Sequence, residues 1–229
     1  MIKACFIDID NTILDFDAYV KNTLKEGFRV FGIAEYEPWM YDTFETENNK
    51  LWLAIERGGL TLTELKKIRF NNVFAALGVT GDGPEFETYF REKLNESAIP
   101  VDGAAELIKY LSGKYILCAA SNGPQGQQEN RLAIAGLKPY FSRIFTSEGL
   151  GVSKPAPLFG DKCVSALADS GISVSPEEII MIGDSVTSDM ALGKNCGYKT
   201  LFYNRSGTDA SSHGYDYVVS SLREILEIL

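Results

Sequence analysis

The stretch that most constrains this chain is its first sixteen residues, MIKACFIDIDNTILDF. Ala4 to Ile7 is a short apolar run flanked by β-branched residues, the pattern of a strand buried on both faces of a parallel sheet. Asp8 and Asp10 follow at once, where that strand should end, and Asn11 and Thr12 then turn the chain. Open α/β sheets bind ligands just outside the carboxyl ends of their strands. Two acids so close together at such a place are costly unless positive charge sits between them. A divalent metal and a phosphate explain both acids, so the opening alone points to an enzyme.

Periodicity divides the remainder. From residue 17 to about residue 96 the pattern is helical, with no convincing strand. Asp17 reads as the cap of a helix running to Phe31, with Val20, Leu24, Phe28 and Phe31 on one face. A second helix covers 39–57. Thr61 and Glu64 form a T-x-x-E capping box for a third, which Gly78 ends, and a fourth covers 85–94. After Pro100, strands expected at 115–120, 143–146, 179–182, 199–203 and 217–219 alternate with helices at 104–111, 125–135, 158–170, 190–196 and 222–228. Ser175, Pro176 and Glu178 mark a short turn before the strand at 179. Such alternation implies parallel βαβ units, and the first strand belongs with them.

Composition narrows the partners. At 229 residues, with 45% hydrophobic and 23% charged side chains, the chain suits one large domain carrying an insertion. A net charge of -9 disfavours nucleic acid or an anionic membrane as the main partner. It leaves room for a small anionic metabolite, because a bound cation reverses the local field. Cys5, Cys118, Cys163 and Cys196 form no C-x-x-C pair, so they read as buried free thiols of a reducing compartment rather than a zinc site. No signal-peptide pattern opens the chain and no apolar run is long enough for a membrane span, so a cytoplasmic protein is expected.

Short polar groups recur at the carboxyl ends of the expected strands: Asp8 to Thr12, Ser121-Asn122-Gly123, Ser153-Lys154-Pro155, and Gly183-Asp184-Ser185 with Ser188-Asp189 close behind. Each alone is an ordinary turn former. Their common topological position gives them meaning together. In this order the groups DIDNT, SNG, SKP and GDSVTSD resemble the four motifs of the haloacid dehalogenase superfamily of phosphohydrolases, and the likeness covers nearly the whole chain. The expected architecture is therefore α/β: a Rossmann-like parallel-sheet core from 1–16 and 97–229, with an all-helical cap of the family's first type at 17–96.

The resemblance implies distinct tasks for these residues. Asp8 is the expected nucleophile, forming an aspartyl-phosphate, and Asp10 the general acid and later the general base. Mg²⁺ is expected on the Asp8 side chain, the Asp10 backbone carbonyl and Asp184, with Asp189 in support. Thr12, Ser121 and backbone N–H groups of the first loop should hold phosphate oxygens, Lys154 should balance charge, and Asn122 should orient phosphate or substrate. Cap closure should exclude water and set specificity.

An acid at position 10 favours phosphate esters over haloacids, since the dehalogenases of this superfamily need no proton donor there. The stretches 51–70, 121–141 and 147–155 resemble the nucleoside 5′-monophosphate phosphatases, including those acting on pyrimidine and noncanonical nucleotides. Sugar-phosphate or phosphoglycolate phosphatases and a β-phosphoglucomutase-like mutase are the alternatives, followed by a haloacid dehalogenase or a non-catalytic binding protein. A monomer or weak homodimer is expected. Asp15 and Asp17 read as turn and cap residues, Trp39, Trp52, Phe70 and Phe74 as cap core, and His213 as an inert loop residue.

Overall fold

The computed structural model describes residues 1–205, 207 and 214–229, so His213 lies outside the described residues. In chain order the elements are β1 (Ala4–Ile7), α1 (Phe16–Val30), α2 (Trp39–Glu56), α3 (Leu62–Leu77), α4 (Gly83–Asn95), α5 (Ala104–Lys114), β2 (Ile116–Ser121), α6 (Gln125–Ile134), β3 (Arg143–Thr146) and α7 (Ser147–Leu150). There follow α8 (Pro157–Ala168), β4 (Ile179–Gly183), α9 (Ala191–Cys196), β5 (Lys199–Tyr203), β6 (Tyr217–Val219) and α10 (Leu222–Ile228). Two compact units result: Met1–Asp15 with Ala98–Leu229, and Phe16–Ser97.

In the first unit six strands form one sheet in the order β3-β2-β1-β4-β5-β6, with every pairing parallel. β1 pairs with β2 through Cys5 and Leu117 and with β4 through Cys5 and Ile180. The winding thus reverses at β1 and β4, and a doubly wound sheet binds its ligand at that reversal. Side chains of β1 alternate between two cores, as strand geometry requires. Cys5 and Ile7 pack with Leu107, Ile108 and Leu111 of α5 and with Leu222 and Ile225 of α10. Ala4 and Phe6 pack with Phe159, Cys163 and Leu167 of α8 and with Leu192 of α9. With both faces covered, β1 is wholly buried up to the point where Asp8 leaves it.

The second unit is helical among its described elements and is organised by aromatic rings. Phe70 lies 4.6 Å from Phe86 and 5.1 Å from Phe90, ring centre to ring centre, and Phe44, Phe74 and Phe28 extend the cluster. Inside it Arg69 is paired bidentately with Glu87, Nε to Oε2 at 2.9 Å and Nη2 to Oε1 at 2.7 Å, and Nη1 donates to Asn48 at 3.2 Å. The guanidinium also lies over the Phe90 ring. The Thr61–Glu64 capping box opens α3, and Gly78 closes it with φ 68°.

Three expectations change. Trp39, expected in the cap core, is 54% exposed at the start of α2, and Trp52 is only half-buried. Asp17 lies inside the first turn of α1 rather than capping it, where its charge still suits the helix dipole. Cys196 is half-buried, unlike Cys5, Cys118 and Cys163. Among the described residues no helix is long and apolar enough to cross a membrane.

Candidate active site

The site forms where β1, β2 and β4 end. Beyond Ile7 the chain turns tightly: Ile13 and Leu14 N–H donate to the Ile9 carbonyl at 3.0 and 2.9 Å, and Asn11 N–H donates to Leu14 O at 2.7 Å. This turn requires φ 61° at Asn11, which a short polar side chain tolerates better than most. It leaves Asp8 on the strand axis and sends Asp10 and Thr12 to opposite sides of it, towards partners on different elements.

Lys154, almost fully buried, ties the centre together. Its ammonium donates to Asp8 Oδ1 at 2.7 Å, to Asp189 Oδ1 at 2.5 Å and to the Ala120 carbonyl at 2.6 Å. An ammonium has three donors, and all are engaged. Lys154 therefore bridges two carboxylates and does not itself grip a further anion in this arrangement. Burial alone would push its ionisation down, but Asp189 and Asp8 hold it raised, so the lysine stays charged.

Asp184 and Asp189 follow β4. Ser185 N–H donates to Asp189 Oδ2 at 3.1 Å across a π-helical turn, Val186–Met190, and the Ser185 hydroxyl accepts from Ser188 N–H at 3.2 Å. Glycine at 183 is obligatory for this approach, because a Cβ there would stand 2.2 Å from Asp189 Oδ2. One carboxylate oxygen each from Asp8, Asp184 and Asp189 lie within 4.8 Å of one another. Burial raises the Asp8 carboxyl, with Asp189 and Asp10 adding to it against the pull of Lys154. Burial likewise raises Asp184, beside Asp8 and Asp189 and against its bond from Thr12. The lysine thus leaves negative charge uncompensated here. An all-oxygen, anionic donor set of this size fits a hard divalent cation such as Mg²⁺.

Thr12 and Asn122 both bond protein groups of the site. The Thr12 hydroxyl is fully buried and donates to Asp184 Oδ1 at 3.1 Å, so it orients a candidate metal ligand. The Asn122 amide clamps the Lys154 backbone, accepting from its N–H at 2.8 Å and donating to its carbonyl at 3.0 Å. That side chain places Lys154. Asp15 pairs with Arg205 at 2.7 Å.

The Asp10 side chain is not one of the three carboxylates of this cluster. Its side chain, 33% exposed, receives Arg131 Nη1 on Oδ1 at 2.6 Å and Gln128 Nε2 on Oδ2 at 2.7 Å. Gln128 Nε2 also donates to Ser121 Oγ at 2.7 Å. Neither α6 residue was singled out from sequence. The available signal was a polar pair at i, i+3 on the same side of a helix as the core residue Leu132.

The family of haloacid dehalogenase-like hydrolases matches residues 2–197. The chain belongs to the haloacid dehalogenase-like hydrolases. Within reach of this family, the pyrimidine 5′-nucleotidase PynA of Streptococcus pneumoniae is 33% identical over 99% of this chain and 94% of its own length. The pyrimidine 5′-nucleotidase YjjG of Escherichia coli is 27% identical over 98% of this chain and 96% of its own. The crystal structure of the HAD-hydrolase YfnB of Bacillus subtilis, bound to magnesium, superposes with a TM-score of 0.90 at 31% identity, covering 100% of this chain and 98% of that one. The chain is thus a hydrolase whose α/β core places Asp8, Asp10, Asp184 and Asp189 after the ends of β1 and β4.

Proposed function

We propose that this protein is a Mg²⁺-dependent phosphatase acting on a small phosphate monoester, a nucleoside 5′-monophosphate in the first instance. The observation that carries the reading is the pairing of Asp8 with the buried Lys154 at 2.7 Å, beside Asp184 and Asp189 and at the reversal of a doubly wound sheet. The choice of nucleotide rests on the likeness to two pyrimidine 5′-nucleotidases over nearly the full chain.

The residues suit an in-line displacement in two stages. An oxygen of Asp8 attacks phosphorus, the new P–O bond forms, and the bond to the ester oxygen breaks. A protonated Asp10 gives its proton to that departing oxygen, which leaves as the nucleoside hydroxyl. Asp10, now ionised, takes a proton from water as the water oxygen attacks the aspartyl-phosphate. The bond between Asp8 and phosphorus then breaks, Asp8 returns as carboxylate and inorganic phosphate is released. Lys154 balances Asp8 and Asp189 throughout, and Ser121 with the N–H groups of the first loop receives the phosphate oxygens. Asp8, Asp184, Asp189 and the Asp10 carbonyl would hold Mg²⁺, whose charge would let an anionic nucleophile approach a phosphate dianion.

Phosphate release from a panel of pyrimidine and purine nucleoside 5′-monophosphates, hexose phosphates and phosphoglycolate, with Mg²⁺ or with excess chelator, tests this. The reading expects Mg²⁺-dependent release with the nucleotides ahead. Release unaffected by chelator, or none from any ester, defeats it. A phosphate that reappears on another position of the sugar marks a mutase instead.

A further inference from the structure

Arg131 and Gln128 bear no part in the chemistry above, yet both are almost entirely buried beside it. A buried guanidinium is costly to desolvate, and a buried ion pair is weak ground for stability. What this pair does contribute is constraint. Arg131 Nη1 has two hydrogens, and its acceptors are Asp10 Oδ1 at 2.6 Å and Gln128 Oε1 at 2.9 Å. Because arginine can only donate, Gln128 must turn its oxygen to Arg131 and its NH₂ the other way. That NH₂ has two hydrogens as well, and its acceptors are Asp10 Oδ2 and Ser121 Oγ, each at 2.7 Å. Ser121 Oγ accepts a second bond from Gly123 N–H at 3.0 Å. With both lone pairs taken, the serine proton is free to point only away from the protein partners. Glycine at 123 is part of the arrangement, since a Cβ there would lie 2.5 Å from Gln128 Nε2.

We propose that Arg131 and Gln128 are positioning residues, which fix the Asp10 carboxyl for proton transfer to the leaving oxygen and turn the Ser121 hydroxyl towards the transferring phosphate. The proposal rests on the phosphatase reading above. Arg131 reaches Asp10 directly and Ser121 only by orienting the Gln128 amide, whereas Gln128 bonds Asp10 and Ser121 itself. One short helix face thereby sets the proton donor and a phosphate ligand from a single amide.

Leaving-group dependence separates this from a merely structural role. A nucleoside alkoxide needs a proton as it departs, whereas dinitrophenolate does not. kcat/KM reports steps up to loss of the leaving group, so the later hydrolysis shared by all substrates does not enter. The ratio of kcat/KM for uridine 5′-monophosphate to that for dinitrophenyl phosphate is also independent of how much of a variant is folded. Arg131→Met and Gln128→Met should each lower that ratio by about 10²-fold, with Arg131→Lys recovering part of it. Gln128→Met should in addition weaken inhibition by inorganic phosphate about tenfold, and Arg131→Met by less, because the first removes the bond to Ser121 and the second only frees the amide that makes it. In an Asp10→Asn background, Arg131→Met should leave the ratio where Asp10→Asn put it. An unchanged ratio in the single variants, or an equal further fall in the Asp10→Asn background, overturns the proposal while wild-type activity keeps the phosphatase reading. Hydrolysis of neither ester by the wild type overturns both.

Discussion

Lys154 Nζ stands 2.7 Å from Asp8 Oδ1, although 146 residues separate the two in the chain. The contact is made by a sheet that brings the end of β1 beside the loop after β3, and by the Asn122 amide that clamps the Lys154 backbone. Without the ammonium, Asp8 and Asp189 would face each other across a buried space with only a metal to part them. Lys154→Met should lower kcat by about 10³-fold and destabilise the fold by about 3–5 kcal/mol, since one partner of a buried ionic group is removed from the others. Steady-state kinetics and urea unfolding measure the two effects. Activity within tenfold of wild type would show that the lysine is a bystander.

The carboxylates predict how stability should respond to pH. Burial raises Asp8 to about 7 and Asp184 well above its usual range. In the unfolded chain both titrate near about 3.9. Between there and about pH 7 the folded protein holds more protons than the unfolded one, so stability falls as pH rises through that window. A cation bound to the triad offsets the charge that appears. Mg²⁺ should therefore raise Tm more at pH 8 than at pH 5, read by thermal melting with and without chelator. An equal or larger rise at pH 5 would place the cation elsewhere.

Thr12 tests the metal site without touching the nucleophile. Its buried hydroxyl donates to Asp184 at 3.1 Å. Thr12→Val keeps the shape and removes the bond, and should weaken Mg²⁺ activation by about tenfold or more while kcat at saturating Mg²⁺ stays close to wild type. A large fall in kcat with unchanged Mg²⁺ dependence would assign Thr12 to phosphate binding.

The helical unit makes an independent prediction. Glu87 is raised by burial against the pull of Arg69, and the two form a bidentate pair among phenylalanines. Arg69→Met should cost about 3–5 kcal/mol by stranding Glu87, and Arg69→Met with Glu87→Leu should recover most of the loss. Chemical unfolding followed by circular dichroism decides it. A double variant as unstable as the single would mean that the pair itself holds the helices together.

The parallel sheet was legible because its strands are short apolar runs bounded by turn residues, and because polar groups gather where those runs end. Thr61 with Glu64, and Gly78, marked the limits of α3 by capping chemistry that depends only on local sequence. The short helix Ser147–Leu150 and the π-helical turn at Val186–Met190 were not legible. Each spans five residues or fewer, too few for a period to register. Trp39 was misplaced because helical spacing shows which residues share a face and not whether a helix end is covered. Thr12 and Asn122 sit at the expected strand ends, but their hydroxyl and amide turn to Asp184 and to the Lys154 backbone. Such choices are settled by partners more than 30 residues away. Arg131 and Gln128 were overlooked for a related reason: a polar residue on the buried side of a helix means little until its distant acceptor is known.

The central claim is that Asp8 carries the phosphoryl group. Asp10→Asn should slow removal of that group from the enzyme, so rapid acid quenching of this variant with dinitrophenyl phosphate and Mg²⁺, followed by peptide mass spectrometry, tests it most directly. A hydroxylamine-labile phosphoryl group on Asp8, absent from the variant carrying Asp8→Asn as well, is the predicted result. Phosphate release by Asp8→Asn at the wild-type rate, or a label on any other residue, would contradict it.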